Sequence, residues 1–394
     1  MEDRKKIIRT ITILIIAGAV TYAFSGALLN TLINQIIDEF NLTGTNEGIM
    51  ASLQSLGMMI AIFICPAIQG RFKKLTMLFA SGIIMIVSMA MGGFSQSAVM
   101  FGIACLILGI GWGLFDTYAN SSIIDLYPDD NAKPMGLFHG FYGIGSLIMP
   151  LIISALLSAL LWRGMYFLVA ALMLVVMIIF YVVKRKVDRS GGLSETEEQK
   201  LKLKDIGAYL RKKRNILILV LGLLITMGQA GTLSWIVRYM TLEYDAQTLG
   251  TLCITIFWIC ATVNRFVMPY IKIPKKTMIA GGTLVFGIAL LAGILVNDPV
   301  FMCVMVGVAG LAGGHLVPFT LILAAEGYQG NTTLTTSVLQ FAFGIGRVIV
   351  PILIAFVKTE ISMKAGMCIP VAASFIALII CLFISSGKPA EDKK

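Results

Sequence analysis

Apolar positions in this chain run together in stretches of twenty or more residues instead of alternating with polar ones, and short polar clusters separate the stretches. A helix needs about 20 mostly apolar residues to cross a bilayer. The pattern predicts twelve membrane-crossing helices, near 8–39, 47–69, 75–96, 98–126, 134–160, 163–184, 215–241, 247–270, 276–296, 299–325, 333–357 and 365–385. The first stretch follows Arg4, Lys5, Lys6 and Arg9; it has no small-residue cleavage site and runs on to about Phe40, so it reads as a span and not as a signal peptide. The longest polar connection, Lys186 to Arg214, carries both signs of charge and reads as a cytoplasmic linker with one amphipathic helix. It separates an N-terminal bundle (1–185) from a C-terminal one (215–394), with 186–214 between them.

One segment occurs on both sides of that linker. His139-Gly-Phe-Tyr-Gly143-Ile-Gly145-Ser146 leads to Pro150, and Gln340-Phe-Ala-Phe-Gly344-Ile-Gly346-Arg347 leads to Pro351, at a constant offset of 201 positions (143 to 344). Gly109 and Gly113 match Gly310 and Gly314 at the same offset, and Gly70-Arg71-Phe72 resembles Asn264-Arg265-Phe266. Repetition at half-length implies two related six-helix halves with a site between them.

Charge then fixes orientation. The net charge is +10, and with a cytoplasmic N-terminus 26 of the 31 Lys and Arg fall at cytoplasmic ends or loops. Arg163, Arg238, Lys358 and Lys364 fall outside, and Arg347 lies within a span. The bias is the positive-inside rule, so the basic excess signals topology and no nucleic-acid partner is expected. Charged residues make up 13% of the chain, against about 25% in soluble proteins. Seven scattered cysteines show no metal spacing and read as packing residues; no metal, cofactor or enzymatic motif is expected.

Inside the spans, polar groups are costly and therefore informative. Gly109, Gly113, Asp116 and Asn120 share one face of the fourth span, and Asp116 is the only acid well inside a span. A carboxylate there is expensive to ionise, which suits it to loading and releasing a proton; a permanent structural ion pair or hydrogen-bonded acid is the alternative. His139, Gly143, Ser146 and Pro150 share a face of the fifth span, as Gln340, Gly344, Arg347 and Pro351 do in the eleventh. Arg347 stays charged and binds an anionic substrate group, pairs with Asp116 as a gate, or contacts backbone carbonyls in a purely structural role. Asn30, Asn34, Asn120, Gln229, Trp235, Trp258 and His315 add amides, rings and an imidazole. Amides and rings together suit a hydroxyl-rich solute. Gly143, Gly145, Gly344 and Gly346 allow close packing, and Pro150 and Pro351 mark bends where a gating helix flexes.

The layout of six spans, a linker and six related spans resembles the major facilitator superfamily over the whole chain. Within it, Leu108-Gly109-Ile-Gly111-Trp-Gly113-Leu-Phe-Asp116-Thr117-Tyr-Ala119-Asn120 is similar to the fourth helix of the fucose–proton symporter group. Phe257-Trp258 to Arg265, Gly313 to Pro318 and the Gly-Ile-Gly…Pro segments are similar to that group too. The resemblance implies an all-α membrane protein of twelve transmembrane helices in two pseudo-symmetric bundles that rock about a central cavity. It also implies proton-coupled sugar uptake with Asp116 as the proton carrier. Two positions depart: Asn30 stands where the group has an acid, and Pro66-Ala-Ile-Gln-Gly70-Arg71-Phe-Lys73-Lys74 has Gly70 where the superfamily's loop motif has aspartate.

The expected function is alternating-access transport of a small polar solute, sugar or sugar-acid-like, by proton symport. Sodium could replace the proton as partner. Proton-driven efflux of amphipathic compounds is the rival reading. The expected setting is a monomer in the cell inner membrane with both termini cytoplasmic.

Overall fold

The computed structural model describes residues 2–42, 45–189, 203–326, 328 and 331–384, and the side chains of Asn30 and Asn34 lie outside the described residues. All regular structure among these residues is helical: α1 Glu2–Phe40, α2 Thr45–Ile68, α3 Lys74–Gly93, α4 Ala98–Leu126, α5 Ala132–Arg189, α6 Leu203–Arg211, α7 Lys213–Tyr244, α8 Gln247–Val267, α9 Lys275–Val296, α10 Pro299–Gly313, α11 Leu316–Ala325, α12 Thr332–Glu360 and α13 Met363–Phe383. Eleven described segments are long and apolar enough to cross a membrane, with Ser52–Ile68 of α2 a shorter apolar helix.

Two adjustments separate these helices from the predicted spans. The fifth and sixth spans are the two arms of α5, one on each side of Leu161. Its φ of 55° and ψ of 173° break the helix without a loop. The tenth span, conversely, is α10 and α11 joined through Gly314 and His315. Connections stay short because the ends are capped locally. Asp298 accepts from the Phe301 N–H at 2.7 Å ahead of Pro299, Ser362 accepts from Ala365 at 3.1 Å, and Asp245 and Asn297 end α7 and α9 in the left-handed region. Ahead of α7, α6 forms a short helix: its Tyr209 ring packs on Tyr328 at 5.2 Å, and Asn215 Nδ2 donates to both the Tyr209 carbonyl and the Tyr328 hydroxyl.

By contacts the chain divides into two units: Met1–Leu201 with Gly330–Ser337, and Lys202–Gln329 with Val338–Lys394. In the first, α1 packs along α5 and α2 along α4, while α3 packs against both α4 and α5. In the second, α7 packs along α13, α8 along α10, and α9 against both α10 and α13. Glycine sets the closest approaches. A Cβ on Gly109 would strike the Gln54 carbonyl of α2, and one on Gly310 would lie 2.5 Å from the Phe257 carbonyl of α8. Gly145 of α5 meets Val20 and Ala23 of α1, as Gly346 of α12 meets Leu223 and Thr226 of α7. Glycines offset by 201 thus touch partners offset by 203 (54 to 257, 20 to 223), so the internal repeat is a repeat of helix crossings.

All seven cysteines are free, with Cys253 and Cys303 packed thiol to thiol where α8 meets α10, and no group of metal-binding side chains occurs among the described residues.

Candidate functional site

The first unit brings its polar side chains together. On α4, Gly109 and Gly113 seat the helix against α2, and one turn further on Asp116 is half-buried with Asn120 fully buried. Asn120 Nδ2 donates to the Asp116 carbonyl at 2.7 Å and to its Oδ1 at 2.9 Å. The Asn120 Oδ1 lies 3.0 Å from His139 Nε2 on α5. Asp116, Asn120 and His139 therefore form one hydrogen-bonded chain joining two spans. A carboxylate and an imidazole linked by a short amide can hold protons and also bond hydroxyls.

Beside this chain lies an aromatic group. Tyr22 of α1 stands 5.9 Å from Trp112, one turn before Asp116, and 5.0 Å from Tyr142, one turn beyond His139. Trp112 Nε1 donates to Ser25 Oγ at 2.8 Å, which fixes the indole. A Cβ on Gly26 would come 3.8 Å from Trp112 and 3.9 Å from the Tyr142 hydroxyl, so the absence of a side chain there keeps space next to both. The available signal was spacing: Trp112 and Asp116 are i, i+4, and His139 and Tyr142 are i, i+3. Ser146 bonds the Tyr142 carbonyl of its own helix at 3.1 Å.

In the second unit Gln229 and Arg265 brace the break between α10 and α11, and His315 stands at it. A helix end inside a membrane leaves carbonyls that something must satisfy. Gln229 Nε2 donates to the Gly313 carbonyl at 2.9 Å, and Arg265 Nε donates to the Gly314 carbonyl at 3.0 Å. His315, at the break itself, is buried, with Nδ1 3.0 Å from Asn264 Oδ1 and Nε2 3.0 Å from the Met278 carbonyl. Trp258 faces the Arg265 guanidinium at 5.6 Å, and Trp235 faces the Lys358 ammonium at 5.5 Å. Gln340 is buried, whereas the Arg347 side chain is exposed. Among the repeat's predicted gating positions, Gly145 and Gly346 sit in the helix crossings described above. Pro150 and Pro351 lie inside continuous helices, and Gly143 is buried while Gly344 is half-buried.

A further polar cluster, absent from the sequence candidates, involves the first turn of α12, which belongs to the first unit by contacts. Lys74 Nζ donates to Asp125 Oδ2 and to Thr332 Oγ1, both at 2.5 Å, and Thr332 donates to Asp125 Oδ1 at 3.0 Å, closing a triangle. Gln69 Nε2 donates to Asn331 Oδ1 at 3.0 Å, and Thr333 donates to Ser121 Oγ at 3.3 Å. Gln69 and Lys74 both lie in the Pro66–Lys74 stretch whose Gly70 stands where the superfamily's loop motif has aspartate.

Known proteins agree with this architecture. A family model described as Major Facilitator Superfamily matches residues 14–272. The glucose/mannose transporter GlcP of Bacillus subtilis is 18% identical over 82% of this chain and 81% of its own length. Protein TsgA of Escherichia coli is 23% identical over 64% of this chain and 63% of its own. Among solved structures, the FucP transporter in its outward conformation has a TM-score of 0.81 at 15% identity, covering 95% of this chain and 99% of that one. The human organic anion transporter MFSD10 gives 0.78 at 14% identity, covering 95% and 99%. The proton:xylose symporter XylE gives 0.75 at 15% identity, covering 97% of each. At such identities the structures speak for the fold, while the family match spans well over half the chain. With its multi-pass helical architecture and repeated helix crossings, the chain belongs to the Major Facilitator Superfamily, a family of membrane transporters.

Proposed function

We propose that this protein carries a small polar solute, a sugar or sugar-like acid, across the cell inner membrane by alternating access, coupled to proton symport. The observation that carries the reading is the Asp116–Asn120–His139 chain beside Tyr22, Trp112 and Tyr142. A protonatable acid and an aromatic wall on adjacent helix turns provide a proton site and a hydroxyl-recognising surface in one place. The names of GlcP, FucP and XylE support trying hexoses, deoxyhexoses and pentoses first. In the cycle, Asp116 is protonated from outside, solute binds next to it, and inward release frees the proton. The protein works as a monomer with both termini cytoplasmic, and no chemical conversion of the solute occurs.

Proteoliposomes test the reading, with labelled D-glucose, D-mannose, L-fucose and D-xylose as probes. Asp116→Asn is expected to abolish accumulation driven by a pH gradient while solute counterflow persists. Unchanged accumulation in that variant would remove Asp116 from coupling. A second reading, transport of an organic anion, rests on the exposed Arg347 side chain. It predicts that a sugar acid such as D-gluconate outcompetes the neutral sugars and that Arg347→Gln removes this preference. Efflux of amphipathic compounds has no comparable support, because the described cluster is rich in hydrogen-bonding groups.

A further inference from the structure

We propose that His139 is a second proton-binding group acting with Asp116, and that it takes its proton at Nδ1. The inference deepens the coupling role assigned to Asp116 and rests on that reading for its functional meaning. Its geometric basis is the orientation of Asn120. The Asp116 main-chain oxygen can only accept a hydrogen bond, and it lies 2.7 Å from Asn120 Nδ2. A flipped amide would set two oxygens against each other there, so the amide nitrogen must face Asp116. Asn120 Oδ1 then faces His139 and can only accept, which makes His139 Nε2 the donor across the 3.0 Å contact. Neutral His139 is thereby held as the Nε2–H tautomer, and an added proton goes to Nδ1. The resulting imidazolium and an ionised Asp116 sit at opposite ends of one amide dipole, so a proton at one end changes the energy of a proton at the other.

Among the described residues, the charges on the helices packed against this arm are these. From α4, His139 meets Asn120, whose amide bonds Asp116; Tyr118 and Cys105 are the neutral titratable groups of that helix, and Asp125 stands near its C-terminal end. On its own arm Tyr142 lies one turn away, and Lys133 stands at the start of the helix. From α1 the nearest titratable group is Tyr22, against Tyr142, whereas Lys5, Lys6 and Arg9 lie at one end of that helix and Asp38 and Glu39 at the other. The one charged residue of α3, Lys74, is bound to Asp125. Tyrosine and thiol stay neutral near pH 7. Asp116 and His139 are the two groups on this hydrogen-bonded chain that can trade a proton.

The chain has only two histidines, which makes a direct test practical. Nitrogen-15 histidine labelling of the full-length protein in nanodiscs gives two imidazole signals, and His139→Gln assigns them. The expected result is an Nε2–H tautomer for neutral His139, titration within about pH 5–8, and a midpoint displaced by at least half a pH unit in Asp116→Asn. Asn120→Ala, which removes the acceptor, is expected to leave a mixture of tautomers and guards against a folding defect in the aspartate variant. In proteoliposomes His139→Gln, which keeps a donor toward Asn120, should flatten the pH dependence of accumulation relative to that of counterflow in the same variant. An Nδ1–H tautomer, no titration in that range, or a midpoint indifferent to Asp116→Asn would overturn the inference. The coupling reading fails separately: Asp116→Asn would then leave pH-driven accumulation intact even with the two titrations linked.

Discussion

Single side chains show how a polar residue in a span divides between ligand and scaffold. Gln229 reads from sequence as an amide waiting for a hydroxyl, yet it donates to the Gly313 carbonyl where α10 stops. A buried acceptor left without its donor costs about 1–3 kcal/mol. Gln229→Leu should therefore lower the thermal unfolding midpoint of the purified protein without ligand, and Arg265→Met, which strips the Gly314 carbonyl, should lower it further. A purely substrate-contacting Gln229 would instead leave the midpoint unchanged and raise only the transport KM. The Asp116 and Asn120 pairing was legible because i, i+4 spacing on one helix fixes which side chains meet. His139 was picked out as a polar residue on the repeated face, but its partner was not, since no local spacing ties α5 to α4. The Gln229 contact was hidden for the same reason, although Gly313-Gly314 ahead of Pro318 does advertise a broken helix in need of donors.

At the level of elements, the repeated glycines are crossing points, and their symmetry makes a sharp comparison possible. Gly109 and Gly310 each bring a neighbouring helix's carbonyl to where a Cβ would stand, as Gly145 and Gly346 bring the Val20 and Leu223 backbones. Backbone cannot step aside as a flexible side chain can, so overpacking of about 1–3 kcal/mol follows from any larger residue. Gly109→Val and Gly310→Val should destabilise to a similar degree, read as lower melting midpoints. Gly281→Ala on exposed α9 surface, with nothing within 4 Å of the added methyl, should be nearly neutral. Unequal losses at the matched pair would show that the two crossings, alike in backbone, differ in their ability to relax. The twelve spans were readable from apolar run length alone, and the repeat pointed to paired halves. The loopless turn at Leu161 was not readable, because its left-handed φ falls on a residue type that carries no signal for it.

For the molecule as a whole, α12 is the helix whose assignment matters most to a transport cycle. Its first turn, to Ser337, belongs by contacts to the first unit and the remainder, from Val338, to the second. Lys74, Asp125 and Thr332 hold that turn, with the lysine and aspartate side chains only 5% and 13% exposed. Removing one partner of a buried ion pair costs about 3–5 kcal/mol because the other charge is stranded. Lys74→Met is therefore expected to destabilise strongly, Lys74→Met with Asp125→Leu much less, and the difference is the coupling energy of a double-mutant cycle. The alternating access proposed above would add a second consequence. If the turn is released in each cycle, weakening the triangle shifts the population toward the released state. A cysteine placed at Ser337, buried in the intact protein, should then be alkylated faster in a Thr332→Val background, and adding transported sugar to the parent should raise its labelling rate in the same direction. Labelling that responds to Thr332→Val but never to sugar would mean the triangle fastens α12 for stability alone, and that the solute cycle opens the protein elsewhere.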